Sequence, residues 1–500
     1  MLPMREVRMP MSLRTRRYLG VTVLVLALSA CGSQLDPSTV AKVDGSGGSG
    51  GGSGAVGAPV SGDGGGTAGD PAAGGSGGGT SGDAPGTPGG GSGSSGGSGG
   101  GTAGSPSSGK GGASGGVKAG SCDGFKNQKG ITDKTITLAN VADLSGPVPG
   151  IFEASQQAAR AYVEYFNSQG TICGRKLELL NLDSRADAGA DQQAYTKACD
   201  QAFAAIGSMG AFDSGGAGVA QSCGLPDIRA ASTTPERAAC GTCFGVYSIR
   251  PNLIADSGPK WLAKQYPSAV KSVGVLYING GAAPVNAKSQ AAAWGKMGWS
   301  IKYTQGIDVA EFNFAPYVQQ LKDKGIKMVV YTGPYQNTVK LQQAMQQQGY
   351  KPDVFLQDPT IYDQRYIQQA GPLAEGTIVY STTDLFENKN NAEVQLYLSW
   401  LQQVKPGAIP NFYGLFAWSA ARLFVEQAVA LGGKLSRASL VAAVKKVTAW
   451  TGNGAHTAMR VGTAQTPPCQ KIIQYKGGRW QQISPGAWLC GGVVNSGVGG

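Results

Sequence analysis

Histidine is almost absent from this chain of 500 residues: His456 is the only one. A serine or cysteine nucleophile needs a base held beside it. His456 follows Gly452-Asn453-Gly454-Ala455, a run that describes a mobile loop rather than a rigid base platform. No Gly-x-Ser-x-Gly turn follows a strand in the folded region, no His/Glu metal helix exists, and no phosphate loop is complete. Residues 104–110 imitate the start of such a loop, but Gly111 stands where Ser or Thr is required and no strand precedes it. No cofactor is therefore expected. Paired carboxylates stay open, since Asp143, Glu153, Asp183, Asp213 and Asp358 could meet in a cleft and serve glycosidic chemistry. Beyond the first 17 residues the chain also lacks any Lys/Arg block, which argues against a nucleic-acid partner.

Long apolar runs are scarce as well. Arg5, Arg8, Arg14, Arg16 and Arg17 precede an apolar run at 19–28, too short for a comfortable membrane span, and then small residues and a cysteine, Leu28-Ser29-Ala30-Cys31. This is the pattern of an export leader over residues 1–30. The Leu-Ser-Ala-Cys run resembles the bacterial lipoprotein signal, which implies lipidation of Cys31 and a membrane anchor on the extracytoplasmic face. Loss of the leader removes five arginines and Glu6, so the net charge falls from +11 to +7. Such an excess suits attraction to an anionic surface and decides little else.

Eight cysteines follow Cys31, an even number in an exported chain, and this favours four disulfides over metal or catalytic thiols. Spacing pairs Cys240 with Cys243 and Cys469 with Cys490, and less firmly Cys199 with Cys223 and Cys122 with Cys173, among about 105 pairings that eight thiols allow. Cys240-Gly-Thr-Cys243 could instead be a redox or zinc pair, but no second such pair accompanies it.

Residues 45–120 carry 36 of the 80 glycines and five charged residues. Such a stretch cannot bury a core, and as a flexible coil it would span roughly 50 Å, so residues 31–121 are expected to form a tether. From Cys122 onward strand and helix signals alternate. Strands are predicted at 136–141, 177–183, 204–208, 228–231, 273–278, 301–305, 328–331, 354–357 and 377–380, with helices at 314–324, 335–348, 392–403 and 413–431. The fold class is therefore α/β, with parallel sheets and right-handed crossovers. A disulfide-stapled hairpin is expected around Gly477-Gly478, and a glycine-rich tail over 491–500. The loop at 145–150 between the first strand and its helix either only turns the chain or, at the carboxyl edge of the sheet, meets a ligand.

In order and spacing these segments resemble the leucine/isoleucine/valine-binding branch of the type I periplasmic-binding-protein family, the solute receptors of ABC importers. The motifs that carry the likeness are Leu144-Ser145-Gly146-Pro147-Val148, Asn167-Ser168-Gln169-Gly170 with Gly174-Arg175-Lys176, Ala231-Ser232-Thr233-Thr234-Pro235-Glu236, Tyr331-Thr332-Gly333-Pro334-Tyr335 and the apolar helix after Tyr413. The resemblance implies two α/β lobes, the first near 122–250 and 384–453, the second near 251–383 and 454–490. Three hinge crossings would join them at 250–252, 381–384 and 452–454, with a small-molecule ligand in the cleft. It also implies no enzymatic activity, ABC permease subunits as partners and a monomer. The same cleft would serve a surface receptor coupled to a signalling partner.

Carried over residue by residue, the resemblance places Ala231 and Thr233 at the ligand carboxylate, Tyr335 as a lid from the second lobe, and Ile151 or Phe152 with Tyr413 against the ligand's apolar part. The chain departs from the family at two places. Ala211-Phe212 stand where amino-acid binders have a serine, and Asp358-Pro359 where they have a glutamate for the ammonium. Each residue has a plainer role open to it: Thr233 and Asp358 in turns, Tyr335, Phe152 and Tyr413 in the core.

Overall fold

The computed structural model describes residues 117–499. The leader, Cys31 and the glycine-rich run up to residue 116 lie outside the described residues. The first sheet contains β1 (Thr135–Ala142), β2 (Lys176–Asp183), β3 (Ala204–Ile206), β4 (Asp227–Ser232) and β5 (Cys243–Ser248) in the order β2-β1-β3-β4-β5. Every neighbouring pair is parallel. Parallel neighbours require long crossovers, and α1 (Glu153–Gln169), α2 (Ala188–Gln201), α3 (Ala217–Ser222) and α4 (Pro235–Ala239) supply them. Strands β3 and β4 are buried at every residue, as central parallel strands covered on both faces must be, and so is the edge strand β5.

After β6 (Leu253–Ala255) and α5 (Ser257–Gln265), a second sheet forms from β7 (Val273–Ile278), β8 (Ile301–Ile307), β9 (Met328–Thr332), β10 (Val354–Gln357) and β11 (Ile378–Ser381). Its crossovers are α6 (Ala283–Lys296), α7 (Ala315–Asp323), α8 (Tyr335–Gln347) and, after β10, α9 (Gln364–Ala370). The chain then returns to the first lobe as α10 (Ala392–Val404), α11 (Phe412–Leu431) and α12 (Arg437–Val444). Leu415, Phe416, Trp418 and Phe424 of α11 share one core with Ile136, Leu138, Ile228 and Val246 of the first sheet. Among the described residues no helix is long and apolar enough to cross a membrane.

Finally β12 (Cys469–Lys476), β13 (Arg479–Gln482) and β14 (Leu489–Cys490) close the second sheet as an antiparallel edge on β11. The hairpin turns at Gly477-Gly478, both at positive φ (59° and 81°), the two-residue geometry that matches strand twist. Disulfides join Cys122 to Cys173, Cys199 to Cys223, Cys240 to Cys243 and Cys469 to Cys490.

Four local expectations need correction. Strand β5 carries no sequence prediction, because Cys240-Gly-Thr-Cys243 obscures the short run that follows it. The tether is shorter than residues 31–121, since the Gly120 N–H donates to the Val429 carbonyl (3.0 Å) and the Gly433 N–H to the Ser121 carbonyl (2.7 Å). The tail over 491–500 is not a bare appendage: β15 (Val493–Asn495) pairs antiparallel with β6. The third crossing is not at 452–454, because Ala455, Met459 and Val461 still belong to the first core. It lies at 464–468, where Thr466 Oγ1 accepts from the Arg250 N–H (2.9 Å) and so ties the third crossing to the first.

Glycine and asparagine at 452–454 make a tight turn instead, with Gly452, Asn453 and Gly454 all at positive φ. The turn buries His456 between Phe416 and Trp450, its Nδ1 on the Thr457 carbonyl and its Nε2 without a partner. Burial pushes this imidazole down to about 4 from 6.5. A base depressed by folding stabilises above its unfolded value and loses that contribution as pH falls through the folded one, here roughly 3 kcal/mol between pH 6.5 and 4. Urea titrations across this range should show His456→Gln losing less stability on acidification than the parent; identical acid limbs would refute the assignment.

Candidate functional site

In both sheets the strand carboxyl ends face one another, and their loops enclose a cavity of about 270 Å³ between the lobes. From the first lobe come the β1–α1 loop with Val148, Ile151 and Phe152, the turn after β3 with Ala211 and Phe212, and Thr233 after β4. The second lobe contributes Ile278, Val309, Thr332 and Asp358 from the ends of β7, β8, β9 and β10. Carboxyl edges of parallel strands collect loops and unpaired backbone groups, so they are where such folds meet ligands.

The lobes touch across this cleft. The Ala282 N–H donates to the Ala211 carbonyl (3.0 Å), Asn286 Nδ2 to the Thr233 carbonyl (3.1 Å), Arg365 Nη1 to the Gly150 carbonyl (3.2 Å) and Asn411 Nδ2 to Asp363 Oδ2 (3.2 Å). Arg365 is itself gripped by Asp363 and lies 5.3 Å from the Tyr335 ring centre.

Of the residues singled out from sequence, Ile151, Phe152, Thr233, Asp358 and Tyr413 line the cavity together, and Phe152 meets Tyr413 edge-on at 5.2 Å. Two do not line it. Ala231 points into the first core from within β4, and its carbonyl accepts from Arg229 Nε (3.1 Å). Ala231 is still inside the sheet, and the cleft begins only beyond the strand end, at Thr233. Tyr335 opens α8 and is buried with Ile361, Tyr362 and Tyr366. It reaches the cleft only through Arg365.

Sequence reasoning missed Tyr247 and Tyr380, at the ends of β5 and β11, and Asn286 and Gln290, one turn apart on α6. The i,i+4 spacing of the last two after Gly280-Gly281 is the signal that could have found them.

The electrostatics are one-sided. Among the described residues no Lys, Arg or His lines the cavity, and Asp358 is the one charged residue that does. Burial pushes the Asp358 carboxyl up to about 6, against hydrogen bonds from Thr360 and Gly333. Asp143 faces inward instead, accepting from Ser184 Oγ (2.6 Å) and from the N–H groups of Ala186 (3.0 Å) and Ala211 (2.7 Å), and burial raises it too. Partial burial would raise Asp183, but hydrogen bonds from Ser145, Arg185 and Leu144 outweigh it and hold that carboxyl low. Asp213 is buried against Arg229. Asp143, Asp183 and Asp213 brace loops, Glu153 accepts from Gln157 Nε2 (2.6 Å) at the start of α1, and of the five carboxylates only Asp358 is among the described residues that line this cavity.

The periplasmic binding protein family matches residues 135–479. The chain belongs to that family. Leu/Ile/Val-binding protein homolog 1 of Brucella suis biovar 1 is 27% identical over 128 residues, 26% of this chain and 33% of the relative, and its Brucella melitensis counterpart matches equally. The chain thus matches about a third of the length of these curated relatives. Among solved structures, this periplasmic binding protein superposes on a fatty acid ABC transporter substrate-binding protein from Thermomonospora curvata (TM-score 0.62, 18% identity, 72% of this chain and 94% of that one). It also superposes on the branched-chain amino acid transporter substrate-binding protein of Streptococcus pneumoniae in complex with isoleucine (0.59, 17%, 70% and 100%). A third neighbour is the solute-binding protein of an R. palustris ABC transporter in complex with 4-hydroxybenzoate (0.60, 17%, 70% and 96%). At these identities the neighbours show the fold: two α/β lobes with a cleft between them.

Proposed function

We propose that this periplasmic binding protein is an extracytoplasmic receptor of an ABC importer, anchored through a lipidated Cys31, which binds a small amino-acid-like or amide-like solute between its lobes and presents it to permease subunits as a monomer. The observation that carries the reading is the cavity between two facing strand-carboxyl edges, walled mainly by apolar side chains and bridged by hydrogen bonds from lobe to lobe. A ligand that touches both lobes stabilises the closed form by as much as it prefers that form. The three crossings, at 249–252, 382–384 and 464–468, are where backbone rotation would open it. The structural neighbours are a fatty acid transporter's binding protein and binding proteins in complex with isoleucine and with 4-hydroxybenzoate, ligands that each have an apolar body, and the walls here support the same property. No chemistry is assigned to the site: its carboxylate stands alone and His456 is in the first core.

The test has two arms. Solute released by denaturing protein purified from its native envelope should be chemically unchanged after prolonged incubation, and its re-addition should compact the protein in small-angle scattering; a turned-over solute, or binding without compaction, refutes the receptor. In the second arm Cys31→Ala should move the protein from the membrane to the soluble fraction, and a variant that still sediments with lipid attached refutes the anchor.

A further inference from the structure

Resting on the receptor reading, we infer that the solute is a linear molecule with a neutral hydrogen-bonding group at its far end, and that this end reaches past the cleft to the Gln470 amide in a second chamber between the crossings. That chamber, of about 60 Å³, is lined from all three crossings: Ile249 from the first, Thr382 from the second, Thr466 and Pro467 from the third. Tyr247, Ile249, Gln290 and Tyr380 line both it and the cleft cavity, so one layer of side chains separates the two. The layer is split between the lobes. Tyr247 and Ile249 pack on the first core, whereas Gln290 Nε2 donates to the Tyr380 hydroxyl (2.7 Å) within the second lobe. Opening of the lobes parts the two halves, and closure sets them around a chain that lies across them.

The lining selects the kind of chain end. Among the described residues no Asp, Glu, Lys, Arg or His borders the chamber. A charged end would be stripped of water there with no opposite charge to meet it. Ile254, Leu262, Leu356 and Ile472 form apolar wall that suits methylene groups.

One polar side chain interrupts this wall. Gln470 is 6% exposed, yet neither its amide nitrogen nor its amide oxygen bonds to another described residue, and neither atom is sealed within the packing. The nitrogen lies over Gly258, itself part of the chamber wall, where a Cβ would come within 2.2 Å of it. Beyond the partition the other polar groups are engaged or enclosed: Thr466 Oγ1 accepts from the Arg250 N–H (2.9 Å), and Trp294 Nε1 and Thr382 Oγ1 are fully buried. A buried amide without a partner costs free energy, so Gln470 calls for a group that the chain does not supply. Its donor and its acceptor border room for about four heavy atoms, and a hydroxyl or carboxamide can satisfy both at once.

The experiment uses the full chain and two matched sets of probes: hexanamide, 6-hydroxyhexanamide and 6-aminohexanamide, and L-norleucine, 6-hydroxy-L-norleucine and L-lysine. Within each set only the group on the last carbon changes, from hydrogen to hydroxyl to ammonium. Calorimetry should show the hydroxyl member of at least one set binding about tenfold tighter than the methyl-ended member and about a hundredfold tighter than the ammonium. Gln470→Leu, of similar volume, should bring the hydroxyl member down to the methyl-ended one and leave the latter within about twofold of its parent value. A purely structural role for Gln470 would weaken both alike. Gly258→Ala, a substitution that a helix tolerates, should also abolish the hydroxyl preference by displacing the amide. Equal affinity of the hydroxyl and methyl-ended members in every set that binds means that the chamber holds water only, and overturns the inference. A hydroxyl preference that survives both substitutions overturns it too, as does failure of all six probes while the solute from the native envelope still compacts the protein. Each of these outcomes leaves the receptor standing, whereas an envelope solute that does not compact the protein removes the receptor itself.

Discussion

Asp213→Ala is expected to cost about 3 kcal/mol of folding free energy, because it removes one partner from a buried charge network and leaves a guanidinium N–H and a hydroxyl buried without their acceptor. Asp213 Oδ2 accepts from Arg229 Nη2 (2.7 Å), its Oδ1 from Thr234 Oγ1 (2.9 Å), and its carbonyl from Arg237 Nε (2.6 Å). Arg237 also reaches Asp227 (2.9 Å) and Asp191 (3.0 Å), and Arg229 reaches Asp227 (3.1 Å) and the Tyr195 hydroxyl. All five charged groups are buried. The deletion would leave Arg229 Nη2 and Thr234 Oγ1 without their acceptor where water cannot replace the lost carboxylate, while both guanidinium groups keep Asp227 and Arg237 also keeps Asp191. Typical domains are stable by only about 5–15 kcal/mol, so the urea midpoint should collapse toward the start of the titration; a change below about 1 kcal/mol would refute the network's role. The consequence extends to the cleft, since Phe212 and Thr233 line the cavity and each is next in sequence to a network residue, Asp213 and Thr234.

Gly281→Val should lower ligand affinity about a hundredfold while leaving each lobe folded. Gly281 has φ +56°, a conformation that costs a β-branched residue about 1–2 kcal/mol. More decisively, a Cβ there would lie 2.4 Å from the Ala211 carbonyl oxygen, across the seam between the lobes. The same oxygen accepts the Ala282 N–H, so the clash falls on a contact that defines closure. Apparent affinity falls with the fraction of molecules able to close, and a penalty of about 3 kcal/mol reduces it roughly a hundredfold. Calorimetry with the native solute, beside small-angle scattering, would read both parts; unchanged affinity with parent-like compaction would mean that the lobes do not meet here in the bound state.

Much of the architecture was legible in sequence because it is local. Short, mainly apolar runs such as 136–141 and 273–278 mark buried parallel strands, amphipathic stretches between them mark crossovers, and two glycines between alternating runs mark the hairpin at 477–478. The loop after β1 and Asp358 after β10 are strand-end positions, so their meeting in one cleft follows once the sheets are known to be parallel. Ile151, Phe152, Thr233 and Tyr413 came from motif resemblance, and they line the same cavity.

What the tertiary structure decided are matters of side-chain direction and distant contact. Ala231 lies inside β4 and packs in the first core, whereas Thr233 follows the strand end at Ser232 and lines the cleft, a boundary that only the sheet itself sets. Tyr335 opens its helix where the cleft begins, yet Arg365 and Asp363, far along the chain, turn it into a support for the seam. Glycines at 452–454 have the composition of a hinge, but Phe416 and Trp450 fold that turn over His456 and move the crossing to 464–468. Tyr247 and Tyr380 belong to different lobes and carry no motif; only lobe closure sets both on the cavity with Asp358. Local patterning specifies which face of each element is buried, whereas the chemistry of this cleft arises from groups brought together over long sequence separations, and no short-range signal records that.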